Sequence, residues 1–470
     1  MLRARVPTRI RGLAAGLPRR VWVLLAVALI LRVAVVAGFT LYTPVTLDPA
    51  DFSRTGLSIA QGHGYPDTNR APGGGPSAFR PPAYPVFLAA VYAVAGQEAP
   101  PAARLVESLL GTLSVALIGL IALRIWGRRV GVMALTIAAV APPLVVLSTA
   151  LISESLFVPL MLAAVAAVLE GRRSRHTLRW AIFTGVLVGL AELTRTNAFV
   201  LLVPLAYALW AIPRPRFGRT LLRPAALIAA AVLTVAPWTV RNWFVLHHFV
   251  PVSTEIGYTL AGTYNLASRQ DHHWPAVWKE AEHGASVEYS PIIFNASIHR
   301  WDEATLDDNL LSAAIADIRK DPPYMLTAAA WNTVRMFHLG ELDFGVANLR
   351  DTGIPKIPAW LEVSGFYMLG LLALVGLSTR RVRRAPWWLW LVPVLLASTV
   401  FVTGFIRFRS GIDPFLVLLA ALGVVHMLDR RTARSERRTA AGPPGGGPTG
   451  DRDLAPAAVG TTAVGPPRGR

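Results

Sequence analysis

Polar and charged side chains stand at the ends of long apolar segments, where a simple spacer would not need them. Two carboxylates, Asp48 and Asp51, follow the first apolar segment, and Glu154 begins another. Further polar residues at such ends are Arg195, Arg241, Asn242, Arg407 and Arg409. A guanidinium group can bind two phosphate oxygens at once through two parallel hydrogen bonds, and a carboxylate can take a proton from a hydroxyl group. These residue types together suit a reaction on a phosphate-linked substrate.

The composition indicates a polytopic membrane protein. Of the 470 residues, 53% are hydrophobic and only 16% are charged, and the mean hydropathy is +0.45, which lies outside the range of soluble domains. The net charge of +18 does not indicate a nucleic-acid partner, because the arginines form short clusters between apolar runs rather than one basic face. The absence of cysteine excludes disulfides, thiolate metal sites and cysteine nucleophiles.

Ten apolar runs approach the length that crosses a bilayer, which predicts an all-α fold with about ten transmembrane helices. Their approximate limits are 21–42, 103–124, 130–151, 154–170, 178–194, 197–212, 221–239, 358–379, 386–405 and 411–428. The shorter apolar stretch from Tyr84 to Gly96 is predicted to be a juxtamembrane helix. Basic residues in short loops stay on the cytoplasmic side, and every second connection is basic. Both termini are therefore predicted to be cytoplasmic.

This topology divides the chain into five parts. They are a basic N-terminus (1–20), a transmembrane module (21–239) that contains the first outer loop (43–102), an extracytoplasmic region (240–357), C-terminal transmembrane helices (358–428) and a disordered cytoplasmic tail (429–470). In the extracytoplasmic region, apolar residues at helical spacing predict a helix through Leu306 and Ile318, which Asp321-Pro322-Pro323 ends. A second helix is predicted from Tyr324 to Leu339.

The same topology brings the polar residues to the outer face of the membrane, where arginines beside spans are unexpected. A carboxylate there could act as general base on an acceptor hydroxyl while arginines stabilise a departing phosphate. Many spans are needed if a polyprenyl donor approaches from the bilayer. Adjacent histidines such as His272 and His273 rarely ligate one metal, so no metal site is predicted.

Three sequence segments near the first predicted span carry a resemblance to a known family. They are Asp48-Pro49-Ala50-Asp51-Phe52, Ala60-Gln61-Gly62-His63-Gly64-Tyr65 and Phe79-Arg80-Pro81-Pro82-Ala83-Tyr84-Pro85. They resemble the first outer loop of family 39-type glycosyltransferases of the GT-C superfamily, which includes protein O-mannosyltransferases and lipid A aminoarabinose transferases. In that family an acidic residue in an Asp-x-x-x-aromatic pattern is the proposed catalytic base. Asp48 matches it, with Phe52 in the usual Tyr position. Many members carry Asp-Glu where this chain has Asp48-Pro49, so Asp51 competes for the role.

The resemblance continues through most of residues 20–430. The matching segments are Leu193-Thr194-Arg195-Thr196, Pro237-Trp238-Thr239-Val240-Arg241-Asn242, Gly257-Tyr258-Thr259-Leu260 and the segment from Arg407 to Pro414. The resemblance implies an inverting transfer from a polyprenyl-phosphate sugar at the outer face. Glu154 matches an acidic position at the rim of the site. The substrate-binding residues it implies are Arg80, Glu154, Arg195, Arg241, Asn242, Tyr258, Arg407 and Arg409.

The sequence leaves the sugar open, and the acceptor could be protein, lipid or glycan. No cofactor is firmly implied, and participation of a divalent metal ion stays open. The Arg-rich, Lys-poor composition suggests a GC-rich bacterial genome and a plasma (inner) membrane location. Two other classes remain. A transporter or flippase of lipid-linked sugars would also need arginines at the outer face, but it should in addition place ionisable groups near the bilayer midplane. A non-catalytic assembly factor would need neither Asp48 nor the arginines.

Overall fold

The computed structural model describes residues 19–41, 43–211, 217–279 and 288–440, and within them the protein is built from helices. The only β-type pairing in this part of the chain is one isolated bridge between Asp67 and Pro76. The predicted all-α fold is confirmed. The basic segment 1–18 and the tail from residue 441 onward lie outside the described residues.

The helices follow the predicted order closely. In chain order they are α1 (Arg19–Val35), α2 (Leu47–Ala60), α3 (Ala83–Ala95), α4 (Pro100–Trp126), α5 (Arg128–Val140), α6 (Pro142–Leu147), α7 (Glu154–Gly171), α8 (Thr177–Glu192), α9 (Leu202–Trp210), α10 (Phe217–Leu246), α11 (Ile256–Thr263), α12 (Leu266–Gln270), α13 (Ser290–His299), α14 (Glu303–Lys320), α15 (Tyr324–Met336), α16 (Leu342–Asp351), α17 (Lys356–Leu377), α18 (Trp387–Leu396) and α19 (Asp413–Ala440). A π-helical turn at Val36–Thr40 extends α1, and 3-10 turns occur at Ala198–Leu201, Arg380–Arg384, Ala397–Phe401 and Ile406–Gly411.

Each of the ten predicted spans overlaps helix within the described residues. Five helical segments in the described part are long and apolar enough to cross a bilayer: Arg19–Thr40, Pro100–Trp126, Glu154–Gly171, Leu221–Leu246 and Lys356–Leu377. Three shorter apolar helical segments are Ala83–Ala95, Ala198–Trp210 and Trp387–Phe401. Multi-pass membrane character is thus supported, whereas ten crossings and cytoplasmic termini stay predictions.

The C-terminal end differs from the prediction, which assigned residues 429–470 to a disordered tail. Helix α19 continues to Ala440, because the segment after Leu428 is rich in Arg, which favours helix, and contains neither Gly nor Pro. The chain divides into the units Met1–His426 and Met427–Arg470, and the described part of the second unit is the end of this helix.

The third predicted span is interrupted at Ala141, where α5 ends and α6 begins at Pro142. A proline interrupts helical hydrogen bonding and leaves carbonyl groups without their usual donors. Arg32 of α1, fully buried, donates to the Ala139 carbonyl at 3.4 Å and the Leu144 carbonyl at 3.3 Å, and to Ser148 Oγ at 3.0 Å. This arginine therefore donates hydrogen bonds to backbone carbonyl groups that receive none from the interrupted helix and that water does not reach.

Small residues bring α8 and α10 into close contact. Gly185 and Gly189 form a Gly-x-x-x-Gly pair on α8, and a Cβ atom at Gly185 would lie 2.2 Å from the Leu227 carbonyl oxygen. A Cβ atom at Gly189 would lie 2.6 Å from Thr234 Cβ. Such pairs let helix backbones approach each other within a membrane, where packing provides much of the association energy.

We therefore expect Gly185→Leu to destabilise the protein by about 1–3 kcal/mol, because the added side chain must push α10 away. The measurement is the temperature at which detergent-solubilised protein loses its monodisperse size-exclusion peak. Gly370→Leu on α17 is the control, since within the described part of the chain nothing lies within 4 Å of a Cβ atom there. Equal midpoints for the two variants would contradict the close-packing explanation.

Candidate active site

A cavity of about 860 Å³ lies between α2, α11, α16 and the segments 271–279 and 403–408. Five of the residues singled out in the sequence line it: Asp48, Asp51, Arg80, Tyr258 and Arg407. The other five lie outside its lining: Glu154, Arg195, Arg241, Asn242 and Arg409. The cavity thus gathers both predicted carboxylates and two of the predicted arginines.

A buried glutamate joins the first outer loop (43–102) to the segment that follows α10. Glu303, at the start of α14, accepts hydrogen bonds from Ser77 Oγ and the Ala78 backbone N–H, each at 2.8 Å, and from Thr254 Oγ1. Its side chain is buried. This connection fixes the turn that carries Phe79 and Arg80 into the cavity.

Asp48 lies in the first turn of α2 and forms ion pairs with both Arg80 and Arg407. Its side chain is 25% exposed, so one side of the carboxylate faces the cavity. Burial raises the pKa of Asp48, but the guanidinium groups of Arg407 and Arg80 lower it by more, so it lies well below the usual carboxyl value. Asp48 is therefore ionised and held between two cations.

Asp51, one turn further along α2, contacts three arginines. Its carboxylate lies 2.8 Å from Arg70, 3.3 Å from Arg80 and 3.5 Å from Arg54. Burial raises the pKa of Asp51, and Arg80 and Arg70 more than offset it, so the net shift is downward. Asp51 therefore holds a set of guanidinium groups together on one side of the cavity.

Arg80 is the central cation of the site. Besides Asp48 and Asp51, it contacts Glu255, whose Oε1 lies 3.0 Å from the guanidinium. The guanidinium also lies over the rings of Phe52 and Phe79, 4.9 Å from each centroid. Phe52 thus supports Arg80 through its ring face, a contact that needs no hydroxyl group.

Glu255 and Arg70 line the cavity but were not identified from the sequence. Burial raises the pKa of Glu255, with Arg80 opposing the shift, so this carboxyl is more readily protonated than Asp48. Arg70 lies 4.0 Å over the Phe79 ring and pairs with Asp51. The one signal for Glu255 was its place two residues before Gly257-Tyr258; Arg70 lies in an irregular loop and carried none.

Glu154 and Arg195 lie directly behind Arg407. The buried Glu154 carboxylate pairs with Arg195 and lies 3.8 Å from Arg407. Arg195 also covers the Phe408 ring at 4.3 Å. Carboxylates and guanidinium groups therefore alternate from Asp48 through Arg407 and Glu154 to Arg195, which brings together residues that are far apart in sequence.

Tyr258 lines the cavity with its ring, which contacts Phe79 and Trp278 at centroid distances of 5.9 and 5.7 Å. Its backbone N–H donates to Asp307 Oδ1 at 3.1 Å, as does that of Gly257 at 2.8 Å. Asp307 thereby caps the first turn of α11 and fixes the position of Tyr258.

Arg241 and Asn242, at the end of α10, make contacts with the backbone of neighbouring loops. Arg241 donates to the Ser77 carbonyl at 2.9 Å and lies 4.8 Å over the Trp238 ring. The buried Asn242 donates to the Val250 carbonyl at 3.0 Å. The structure therefore places both residues beside the loops that carry the site.

Arg409 points away from the cavity although it is two residues from Arg407. It is fully buried, pairs with Glu362 and with Asp413 at 2.9 Å, and donates to the Met336 carbonyl at 3.0 Å. His338 contacts the other oxygen of Glu362 at 3.1 Å. Arg409 thus joins α15, α17 and α19 behind the site.

The donor set does not match that of a resident metal ion. In the described part of the chain no three His, Cys, Asp or Glu side chains cluster as metal ligands. Asp48, Asp51 and Glu255 converge on Arg80, whose guanidinium takes the position that a cation would need. The residues of the cavity therefore do not fit a resident metal ion.

Comparison with known proteins supports the family resemblance over part of the chain. The family model "Dolichyl-phosphate-mannose-protein mannosyltransferase" matches residues 79–241. This region includes Arg80, Glu154, Arg195 and Arg241, so the predicted resemblance to protein O-mannosyltransferases is confirmed there. No curated protein sequence matches the chain.

Solved structures share the fold at low sequence identity. The oligosaccharyltransferase AglB from Archaeoglobus fulgidus, in complex with an inhibitory peptide and a dolichol-phosphate, matches with a TM-score of 0.52 and 13% identity, over 91% of this chain and 52% of that one. The Archaeoglobus fulgidus oligosaccharyltransferase with Zn and sulfate matches with a TM-score of 0.50 and 14% identity, over 89% of this chain and 51% of that one. This chain therefore spans about half the length of those proteins, and the likeness establishes the fold alone.

ArnT from Cupriavidus metallidurans, in the apo state, matches with a TM-score of 0.37 and 15% identity, over 86% of this chain and 77% of that one. This score is too low to support an argument.

Proposed function

We propose that the protein is a membrane glycosyltransferase that moves a sugar from a polyprenyl-phosphate donor to an acceptor hydroxyl at the extracytoplasmic face, with inversion at the anomeric carbon. The observation that carries the proposal is the position of Asp48 at the cavity, ionised between Arg80 and Arg407. A site for this reaction needs one base and several phosphate-binding cations within reach of each other, and this arrangement supplies both.

The charges of the site suggest how donor binding would activate the base. Arg80 and Arg407 are both paired with Asp48. A donor phosphate offers oxygens that guanidinium groups bind at least as well as carboxylates, so it would compete for these two arginines. Asp48 would then lose part of its stabilisation and become a stronger base.

In the transfer step, Asp48 takes the proton of the acceptor hydroxyl as its oxygen forms a bond to the anomeric carbon. The bond between that carbon and the phosphate oxygen breaks, and the electron pair leaves with the polyprenyl phosphate. Arg80 and Arg407 stabilise the negative charge that develops on this leaving group. Attack from the side opposite the phosphate inverts the configuration.

A second cavity supports a lipid-linked donor. It has a volume of about 780 Å³. One side is formed by Phe39 and Thr43, near the end of the first helical segment, and the other by Ala347 and Asp351 of α16. Ala347 and Asp351 also line the first cavity. The two cavities are therefore adjacent, which suits a donor whose isoprenoid chain lies by the first helix while its phosphate reaches Arg80.

The transporter alternative has less support. Arg409, Glu362 and Asp413, buried among the long helices, pair with each other behind the cavity, and the buried Arg32 of α1 donates to carbonyl groups. Paired groups of this kind stabilise helix packing and offer no free charge to a transported substrate.

We expect deletion of the gene to cause accumulation of one glycosylated polyprenyl phosphate and loss of the same sugar from a glycan, protein or lipid of the cell envelope. The measurement is mass spectrometry of both pools, with the deletion strain complemented by the wild-type gene as control. Unchanged pools under conditions where the wild-type protein is expressed would contradict the proposed function.

A further inference from the structure

Aromatic rings form a continuous wall of the 860 Å³ cavity, and this wall begins beside Arg80. The Arg80 guanidinium lies 4.9 Å from the Phe79 centroid. Phe79 contacts Tyr258 at 5.9 Å, and Tyr258 contacts Trp278 at 5.7 Å, both between ring centroids. We call the series of rings from Phe79 through Tyr258, Trp278 and Phe405 to Phe408 the aromatic wall.

The aromatic wall ends at the other arginine that holds Asp48. Trp278 contacts Phe405 at 6.1 Å, and Phe405 stacks on Phe408 at 6.4 Å between centroids. Arg407 lies 5.4 Å over the Phe408 ring. A group delivered to Asp48 between these two arginines must therefore lie against aromatic rings.

The wall is fixed in place before any ligand binds. A Cβ atom at Gly262 would lie 2.1 Å from Trp278 Nε1, so this glycine lets the indole pack directly on α11. The Lys279 backbone N–H donates to the Gly262 carbonyl at 2.8 Å. Because its rings need not be ordered on binding, the wall loses little conformational entropy when a ligand docks.

Polar groups border the aromatic surface. Asp271 and Lys279 form an ion pair at 2.7 Å, and both line the cavity. Trp274, which is 38% exposed, contacts Phe344 at 5.6 Å, and its backbone N–H donates to Asp271 Oδ1 at 2.8 Å. An aromatic surface with charged hydrogen-bonding groups at its border therefore extends beyond the two arginines.

A sugar ring has the complementary chemistry. One face of the ring presents C–H groups, which pack on the negative face of an aromatic ring, and hydroxyl groups around its edge bond to carboxylate and ammonium groups. An isoprenoid chain would leave the Asp271–Lys279 pair without ligand contacts, since it has no polar groups. An extended peptide would seek backbone partners at a strand edge, and the described part of the chain has no strand.

We propose that the aromatic wall is a saccharide-binding subsite, in which Trp278 and Phe405 hold a sugar ring beside Asp48 and Trp274 and Phe344 continue the surface at the exposed end. This inference rests on the proposed function and adds a binding role for these rings. The sugar can come from the donor lipid or from a glycan acceptor, and the experiment separates the two sources.

The test uses the full-length protein in lipid nanodiscs. One binding probe is the glycosylated polyprenyl phosphate that accumulates in the deletion strain, and the other is bare polyprenyl phosphate. The variants are Phe405→Leu and Trp274→Leu, and the second keeps the fold because Trp274 is partly exposed. The matched control is Trp331→Leu, an exposed tryptophan of α15 that does not line the cavity.

If the wall binds the donor sugar, we expect both variants to bind the glycosylated lipid about tenfold more weakly while binding bare polyprenyl phosphate within twofold of wild type. If it binds an acceptor sugar, donor binding stays unchanged and the KM for the cells' envelope glycan fraction rises about tenfold, with kcat little changed.

The subsite is refuted if both variants match Trp331→Leu in donor binding and in transfer. It is also refuted if their only defect is a raised KM for an acceptor peptide that carries no sugar. Failure of the proposed function gives a different result, since then no glycosylated lipid accumulates and the wild-type protein transfers no sugar.

Discussion

Asp48→Asn is expected to lower kcat for sugar transfer by roughly 10²–10⁴-fold, the range by which a positioned general base accelerates proton transfer. Asparagine keeps the size of the side chain but cannot accept the acceptor proton. The measurement is the rate of transfer from the glycosylated polyprenyl phosphate by purified variant and wild-type protein. Asp308→Asn is the matched control, because Asp308 is 66% exposed on α14 and lies outside the cavity.

Asp51→Asn separates the two candidate bases that the sequence left open. Asp51 contacts Arg54, Arg70 and Arg80, so its loss should loosen the phosphate-binding cations and raise the KM for the donor more than it lowers kcat. Full kcat in Asp48→Asn with its loss in Asp51→Asn would assign the base to Asp51. Retention of kcat in both variants would contradict the hypothesis that either aspartate is the general base.

Arg407→Ala is expected to reduce transfer by roughly 10²–10³-fold, the effect of removing one donor that stabilises a developing oxyanion. It should also change the pH dependence. Arg407 is the larger of the two charge interactions that lower the pKa of Asp48, so its removal raises that pKa. Because the base works only when deprotonated, the acid limb of kcat/KM should move to higher pH in Arg407→Ala.

The pH profile distinguishes this role from a purely structural one. Arg407→Lys keeps a positive charge beside Asp48, so its acid limb should stay close to that of wild type even where its rate falls. Arg319→Ala, at an exposed position of α14 outside the cavity, serves as the control. An acid limb that stays in place or moves to lower pH in Arg407→Ala would show that Arg407 does not set the charge state of Asp48.

The helical architecture could be predicted because it depends on local sequence. Apolar runs of bilayer length and their basic flanks predicted helices that the structure contains, and Asp321-Pro322-Pro323 ended a helix where expected, since α14 stops at Lys320. The break within the third predicted span was missed. A membrane helix can tolerate Pro142-Pro143 or break at it, and the outcome here depends on Arg32, more than 100 residues earlier in the chain.

The candidate site was predictable only in part. Asp48 and Asp51 could be found because they follow the first apolar segment in a motif that resembles a family motif, and Arg80 because its own motif does so too. Arg70 carried no such signal and Glu255 only its place beside Gly257-Tyr258, yet the fold brings Glu255 against Arg80 and Arg70 against Asp51. Whether these two residues reach the site depends on how the first outer loop packs against the region 240–357, and the hydrogen bonds of Glu303 to Ser77 and Ala78 fix that packing.

Arg407 and Arg409 show most clearly what the sequence alone determined and what only the tertiary structure decided. The sequence placed both beside the same span and made them equivalent candidates for binding phosphate. They lie on the 3-10 turn Ile406–Gly411, where three residues complete a turn, so positions two apart face different directions. Arg407 therefore faces Asp48, whereas Arg409 meets Glu362. Local sequence determines which segments are helical, but the partner of each charge depends on contacts between distant segments, because a buried charge is stable only where other groups supply a counter-charge or hydrogen bonds.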